Sequence, residues 1–150
     1  MKKVDFSQIM PYSPHRPPMV WIDEVTDYGA TGGECLVKIK KDALYMDPEG
    51  LRSSACIEFI AQAYGYMSIS WRIYEKQPNA KPLKRAFLAA IKDAEVCPPE
   101  KLATVKDGDV LQIKISGVRS LGPITMFDGE VVRGQEVLAT ASMKVFCEFS

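Results

Sequence analysis

Glu58 and Gln62 stand one helical turn apart in the run SSACIEFIAQAYGYMSISWRIY, residues 53–74, with Ile57, Phe59, Ile60 and Ala61 around them. A carboxylate in such company is costly to bury unless it has a partner or a proton to move. Apolar neighbours disfavour its charged form, which predicts a raised pKa and a group suited to donating a proton near neutrality. The alternative is a partly buried glutamate hydrogen-bonded to strand backbone. Gln62 is placed to orient the carboxylate or hold a bound molecule, and equally to serve as a packing amide. His15 is the only histidine in the chain, so any imidazole chemistry of this polypeptide comes from the proline-rich segment Ser13-Pro14-His15-Arg16. Its alternative role is to fix that loop by hydrogen bonds.

Other chemistries find little support. Cys35, Cys56, Cys97 and Cys147 are widely spaced, form no paired metal motif and read as small core residues, reduced in the cytosol. Nothing resembles a glycine-rich phosphate loop or a metal-ligand cluster, so neither cofactor nor metal is expected. With 19 basic and 19 acidic residues the net charge is zero, which removes the electrostatic footprint of a nucleic-acid binder. The start MKKVDFSQIM lacks the apolar run of a secretory signal, and no stretch approaches the ~20 apolar residues of a membrane span. A cytoplasmic protein is expected.

The elements that position these residues follow from periodicity. Ile57, Ile60, Ala61, Tyr64, Ser68 and Trp71 recur at steps of three and four, predicting one long helix over 53–74 with that stripe as its core face. Small residues on several sides, among them Ala55, Ala63, Gly65 and Ser70, predict a helix that is wrapped by its neighbours. Strands are predicted at Met19–Val25, at Cys35–Lys40 forming a hairpin with the first, at 86–91, at 111–116 with Gly117 closing or kinking it, at Pro123–Val132 and at Glu136–Phe149. In the last, Val137, Ala139, Ala141, Met143, Val145 and Cys147 are predicted to face one way. Asp47-Pro48-Glu49-Gly50 is a turn leading into the helix, and Gln77–Pro82 a polar connection out of it. The 150 residues suit a single domain of α+β class: about six antiparallel strands wrapped round one central helix.

That layout resembles the hot-dog fold, and two motifs sharpen the likeness. Ser13-Pro14-His15-Arg16-Pro17-Pro18-Met19-Val20-Trp21-Ile22-Asp23-Glu24-Val25 resembles the PHRxPFLLVDRV segment of 3-hydroxyacyl-acyl-carrier-protein dehydratases. Ile57-Glu58-Phe59-Ile60-Ala61-Gln62-Ala63-Tyr64-Gly65 is similar to the IEAMAQAAG stretch of their central helix. Those enzymes also carry GHFPGxPxxPG just before the helix, with the histidine as catalytic base. Here the corresponding stretch, Leu44 to Ser53, has no histidine. The pattern resembles more closely the divergent dehydratase-like proteins of aryl-polyene pathways, which lose that segment and keep the other two motifs.

The resemblance implies dehydration of 3-hydroxyacyl thioesters on acyl carrier protein. That reaction needs a base for the proton beside the thioester carbonyl, an acid for the departing hydroxyl, and donors for the enolate-like oxygen. It points to Glu58 and His15 as catalytic residues, and to Gln62 with the helix-start backbone at Ser53 and Ser54 as substrate-binding groups. Met19, Phe59, Tyr64, Met67 and Phe87 are candidates for an acyl tunnel. Lys81, Lys84, Arg85 and Arg119 are candidates for meeting an acidic carrier. Hot-dog proteins pair, so the resemblance also implies a homodimer, or a heterodimer with a related subunit. Two further readings stay open: an acyl-thioesterase, and a non-catalytic partner of an active dehydratase.

Overall fold

The computed structural model describes residues 4–75 and 83–149, with side chains for all of these except 83–86 and 149. A short helix α1 (Phe6–Ile9) is followed by strands β1 (Glu24–Asp27) and β2 (Gly33–Lys38). A two-residue hairpin of β3 (Met46–Asp47) and β4 (Gly50–Leu51) then leads into α2 (Ser53–Tyr74). After it come β5 (Leu83–Val96), a helical turn α3 (Pro99–Leu102), β6 (Val110–Leu121), β7 (Ile124–Arg133) and β8 (Glu136–Phe149). Six strands form one sheet in the order β1-β2-β6-β7-β8-β5, every neighbouring pair antiparallel. The connection over 77–82 lies outside the described residues.

The sheet curls round α2, which packs against all six of its strands and against α1. From Ala55 to Tyr74 no helix residue is exposed, as the distribution of small residues predicts. Close approach has a specific cause at Gly129 of β7, where a Cβ would overlap the Ile60 side chain. No helix among the described residues is long and apolar enough to cross a membrane.

The predicted core stripe is rotated from the real one. Of its members only Ile60 is fully buried, whereas Ile57, Ala61, Tyr64, Ser68 and Trp71 are half-buried. The deep face is Ala55, Cys56, Phe59, Ile60, Ala63, Tyr66, Met67 and Ser70. A helix surrounded by sheet carries apolar residues on every side, so periodicity cannot choose between faces. Of the half-buried stripe, Ala61, Tyr64 and Ser68 line a cavity.

Met19–Ile22 is not strand either; β1 begins at Glu24. The Gln62 side chain takes the Met19 carbonyl and the Trp21 N–H, so helix amide replaces neighbouring strand there. In β8 the register against β7 shifts between Val131 and Val132, which turns Val137 outward while Leu138 and Ala139 are both buried. Gly117, at φ +62, sits where β6 shifts register against β7, so it kinks the strand and β6 runs on to Leu121. Cys35, Cys56 and Cys147 are buried core thiols; Cys97 is half-buried. Burial pushes the Cys56 thiol up to about 12, which leaves it inert as a nucleophile.

Candidate active site

Proline at four of the eight positions 11–18 allows no more than a 3-10 turn at Met10–Tyr12 and no ladder pairing, and the loop is instead tied by its own side chains. The Arg16 guanidinium donates to the carbonyls of Ser13 (2.6 Å), His15 (2.7 Å) and Pro11 (3.3 Å). The Ser13 hydroxyl accepts the His15 backbone N–H at 3.1 Å. Farther along, Trp21 Nε1 donates to the Pro18 carbonyl at 3.1 Å, and its ring meets Tyr45 and Phe59 edge-on at 5.4 and 5.8 Å. Gln62 then clamps this loop to α2: its amide nitrogen donates to Met19 O at 2.8 Å, and its oxygen accepts Trp21 N–H at 2.9 Å.

That clamp brings His15 onto Glu58, across 43 residues of sequence. His15 Nε2 lies 3.5 Å from Glu58 Oε1, and the two side chains are 33% and 35% exposed, which leaves both open to a bound molecule. Gln62 Nε2 also donates to the same carboxylate oxygen at 3.0 Å. The expected rise in the Glu58 pKa is overturned. The His15 hydrogen bond, with help from Gln62, outweighs burial and holds the carboxyl below its ordinary value. Its side chain aims at two polar partners rather than into the apolar residues flanking it in sequence, so Glu58 rests as a carboxylate and is suited to receiving a proton.

A cavity of about 220 Å³ opens beside the pair and runs along α2 toward Arg72, bounded by Ala61, Tyr64, Ile69, Phe87, Leu88 and Val145. Glu58 and Arg72 are about 21 Å apart along the helix axis. A second cavity of about 140 Å³ shares the walls Tyr64, Ser68, Arg72 and Cys147 with it. Tyr64, stacked on Phe127 at 4.3 Å, stands at this common wall.

Residues 7–148 match the ApeP-like family, described as ApeP dehydratase. The chain belongs to that family. The 3-hydroxyacyl-[acyl-carrier-protein] dehydratase FabZ of Shewanella woodyi is 26% identical to it over 151 residues, covering 95% of this chain and 91% of the relative. The dehydratase heterocomplex ApeI:P from Xenorhabdus doucetiae has a chain of the same fold, at TM-score 0.77, 23% identity, and coverage of 91% of this chain and 88% of that one. A Streptococcus mutans protein solved with acetyl CoA matches at TM-score 0.63 and 14% identity, covering 91% and 95%. The hot-dog architecture expected from the sequence is thus the architecture of the ApeP-like fold.

Of the predicted site residues, His15, Glu58 and Gln62 converge on the cavity. Ser53 and Ser54 are exposed at the start of α2, one turn before Glu58 and outside the cavity lining. Tyr64 and Phe87 line the cavity as tunnel candidates, whereas Phe59 is buried core, Met67 reaches only the second cavity, and Met19 contributes its carbonyl to Gln62. Arg119 donates to the Gly117 carbonyl at 2.7 Å. Lys81 and the side chains of Lys84 and Arg85 lie outside the described residues. Sequence reasoning missed Ser13 and Tyr66, which line the same cavity. Both are near-fully buried polar side chains, a property only the fold reveals. Among the described residues no cluster of metal ligands is present.

The lowered Glu58 pKa carries a sign. Its folded-state value lies below the ordinary 4.5, so its contribution to stability is fully present above that pH and is lost as pH falls through the depressed value. The stability advantage of the native chain over Glu58→Gln is therefore expected to hold from pH 7 down to about pH 4.5 and to shrink below it, read by denaturant titration at each pH.

Proposed function

We propose that this chain dehydrates 3-hydroxyacyl thioesters carried on acyl carrier protein, in the cytoplasm, with Glu58 and His15 as the proton-transfer pair. The observation that carries this reading is the 3.5 Å approach of His15 to an ionised Glu58 at the mouth of an apolar cavity. Family membership sets the reaction class. The Glu58 carboxylate takes the proton from the carbon beside the thioester carbonyl. The C–O bond at the 3-position breaks, and the imidazolium form of His15 passes its Nε2 proton to the departing hydroxyl, which leaves as water. Proton transfer from Glu58 back to His15 Nε2 then restores the starting state, and atoms balance without a cofactor. The thioester stays at the cavity mouth, outside the lining proper, with its oxygen toward the backbone N–H groups of Ser53 and Ser54 one turn before Glu58. Gln62 holds both the carboxylate and the loop that carries His15.

The acyl chain runs along α2 between Tyr64 and the β5 residues Phe87 and Leu88. Those two β5 residues and Ile91 are exposed, at 53%, 46% and 42%, on a 14-residue strand that ends the sheet. A long edge of this kind is managed in proteins by pairing or covering it. A related hot-dog subunit, or a second copy of this chain, completes the sheet there. The absence of histidine between Leu44 and Ser53, together with the heterocomplex relative, favours a heterodimer.

The test is the product formed from a 3-hydroxyacyl-carrier thioester by this chain alone and by this chain mixed with an ApeI-type subunit. Loss of water with the thioester intact is expected. Ile91→Lys is expected to disperse the dimer in sedimentation and to lower that activity. Release of free carrier thiol instead would assign a thioesterase. Activity that depends on the mixture and survives Glu58→Gln in this chain would make it a non-catalytic partner.

A further inference from the structure

Gly65 stands midway along α2, where glycine weakens a helix relative to alanine because it has the most backbone freedom to lose. Elsewhere around this helix a glycine answers to packing: a Cβ at Gly129 would overlap the Ile60 side chain, and one at Gly33 the Met67 side chain. Gly65 has no such reason. A Cβ there meets no atom of the described residues within 4 Å, and the residue lines the cavity that opens beside His15 and Glu58. Ala61, Gly65, Ser68 and Arg72 follow one another at steps of four, three and four, so they form one row on the helix, and all four line that cavity. The row starts three residues after Glu58. Phe87 and Leu88 of β5 and Val145 of β8 supply apolar lining to the same space.

We propose that Gly65 sets the length of acyl chain this site accepts: a long chain lies along the row and passes over the glycine, through the space a side chain would fill. Gly65 is about 10 Å beyond Glu58 along the helix axis. An extended hydrocarbon, with C–C bonds of about 1.5 Å, advances about 1.3 Å per bond, so this point lies about eight bonds past the carbon that gives its proton to Glu58. Acyl groups of about ten carbons or more therefore reach Gly65, and short ones end before it. A side chain introduced at this position leans toward the start of the helix, over Ala61, and closes the path from that point on. Gly65 is a specificity-determining position and takes no part in the proton transfers. The helix stability it forgoes is the cost of an open path.

This inference rests on the acyl-thioester reading of the cavity, and its test separates the two. Gly65→Ala is expected to raise the melting temperature by about 2–4 °C, because alanine is the better helix former and the space beside it is open. The native protein, in whichever assembly turns over substrate, is expected to accept both 3-hydroxybutanoyl and 3-hydroxydodecanoyl carriers. Gly65→Leu is expected to lower kcat/KM for the dodecanoyl substrate by about 10–100-fold, each buried methylene being worth about fourfold, and to leave the butanoyl substrate within about twofold. Calorimetric binding of dodecanoyl-pantetheine, which has no 3-hydroxyl to lose, is expected to weaken by a similar factor. A native protein that neither binds nor turns over the dodecanoyl chain, a Gly65→Leu effect equal for both lengths, or a lowered melting temperature in Gly65→Ala would overturn the proposal. Loss of both activities together with dispersal of the dimer in sedimentation would overturn it too, and give the row to a partner subunit. Selective loss of dodecanoyl-pantetheine binding in a protein that dehydrates nothing would uphold the role of Gly65 and remove the reaction. Dehydration that Gly65→Leu slows equally at both lengths would do the reverse.

Discussion

Glu58→Gln is expected to lower the dehydration rate by about 10²–10⁴-fold, the usual worth of a positioned proton-transfer group, with the fold unchanged. Glutamine is close to isosteric, and its side-chain oxygen is able to go on accepting from His15 Nε2 and Gln62 Nε2, the two donors that Glu58 Oε1 now serves. Packing is therefore retained while the ability to take a proton is lost. Steady-state rates with a 3-hydroxyacyl-carrier substrate, beside a thermal melt, separate the two effects. A folded variant with an unchanged rate would remove Glu58 from the chemistry.

Gln62→Leu is expected to destabilise the chain by about 2–4 kcal/mol, because it strips partners from two backbone groups at once, each costing about 1–3 kcal/mol when left unpaired. The Met19 carbonyl and the Trp21 N–H have Gln62 as their hydrogen-bond partner in the structure, and Gln62 is 2% exposed. Leucine fills a similar volume, so lost packing does not account for the effect. The same change frees the segment that carries His15, so activity in the folded fraction is expected to fall beyond the loss of stability. Denaturant titration gives the first quantity, and rates normalised to folded protein give the second. A stable variant with its loop still ordered would show that the prolines and Arg16 hold that segment without help from α2.

Local order was legible where one physical cause dominates. The helix over 53–74 and the strand over 136–149 were predicted with the bounds the structure has. Both have long, unbroken periodicity in sequence, and Pro78 sets a limit to the helix. Shorter elements were not so determined. The β3–β4 hairpin and α3 were not predicted as elements: in sequence Asp47-Pro48-Glu49-Gly50 announces only a turn into the helix, and Cys97-Pro98-Pro99 only the end of the third strand. β5 ends at Val96, against the prolines that predict its end, and its start at Leu83 lies where pairing with β8 begins.

The site divides along the same line. Residue types and spacing marked Glu58, Gln62 and His15 as candidate groups, since a carboxylate among apolar neighbours and a lone histidine are visible without coordinates, and the fold brings the three together at one cavity. The motifs around them led to the dehydratase family, which the match over residues 7–148 shows. What no pattern held was the charge state of Glu58. Its neighbours in sequence argue for a raised pKa, and its neighbours in space lower it, because a pKa answers to what surrounds the carboxylate and not to what flanks it along the chain. The choice of helix face was settled in the same way: the chain alone determined an apolar helix and its candidate chemistry, while the curl of the sheet decided which stripe became core and which became the wall of a cavity.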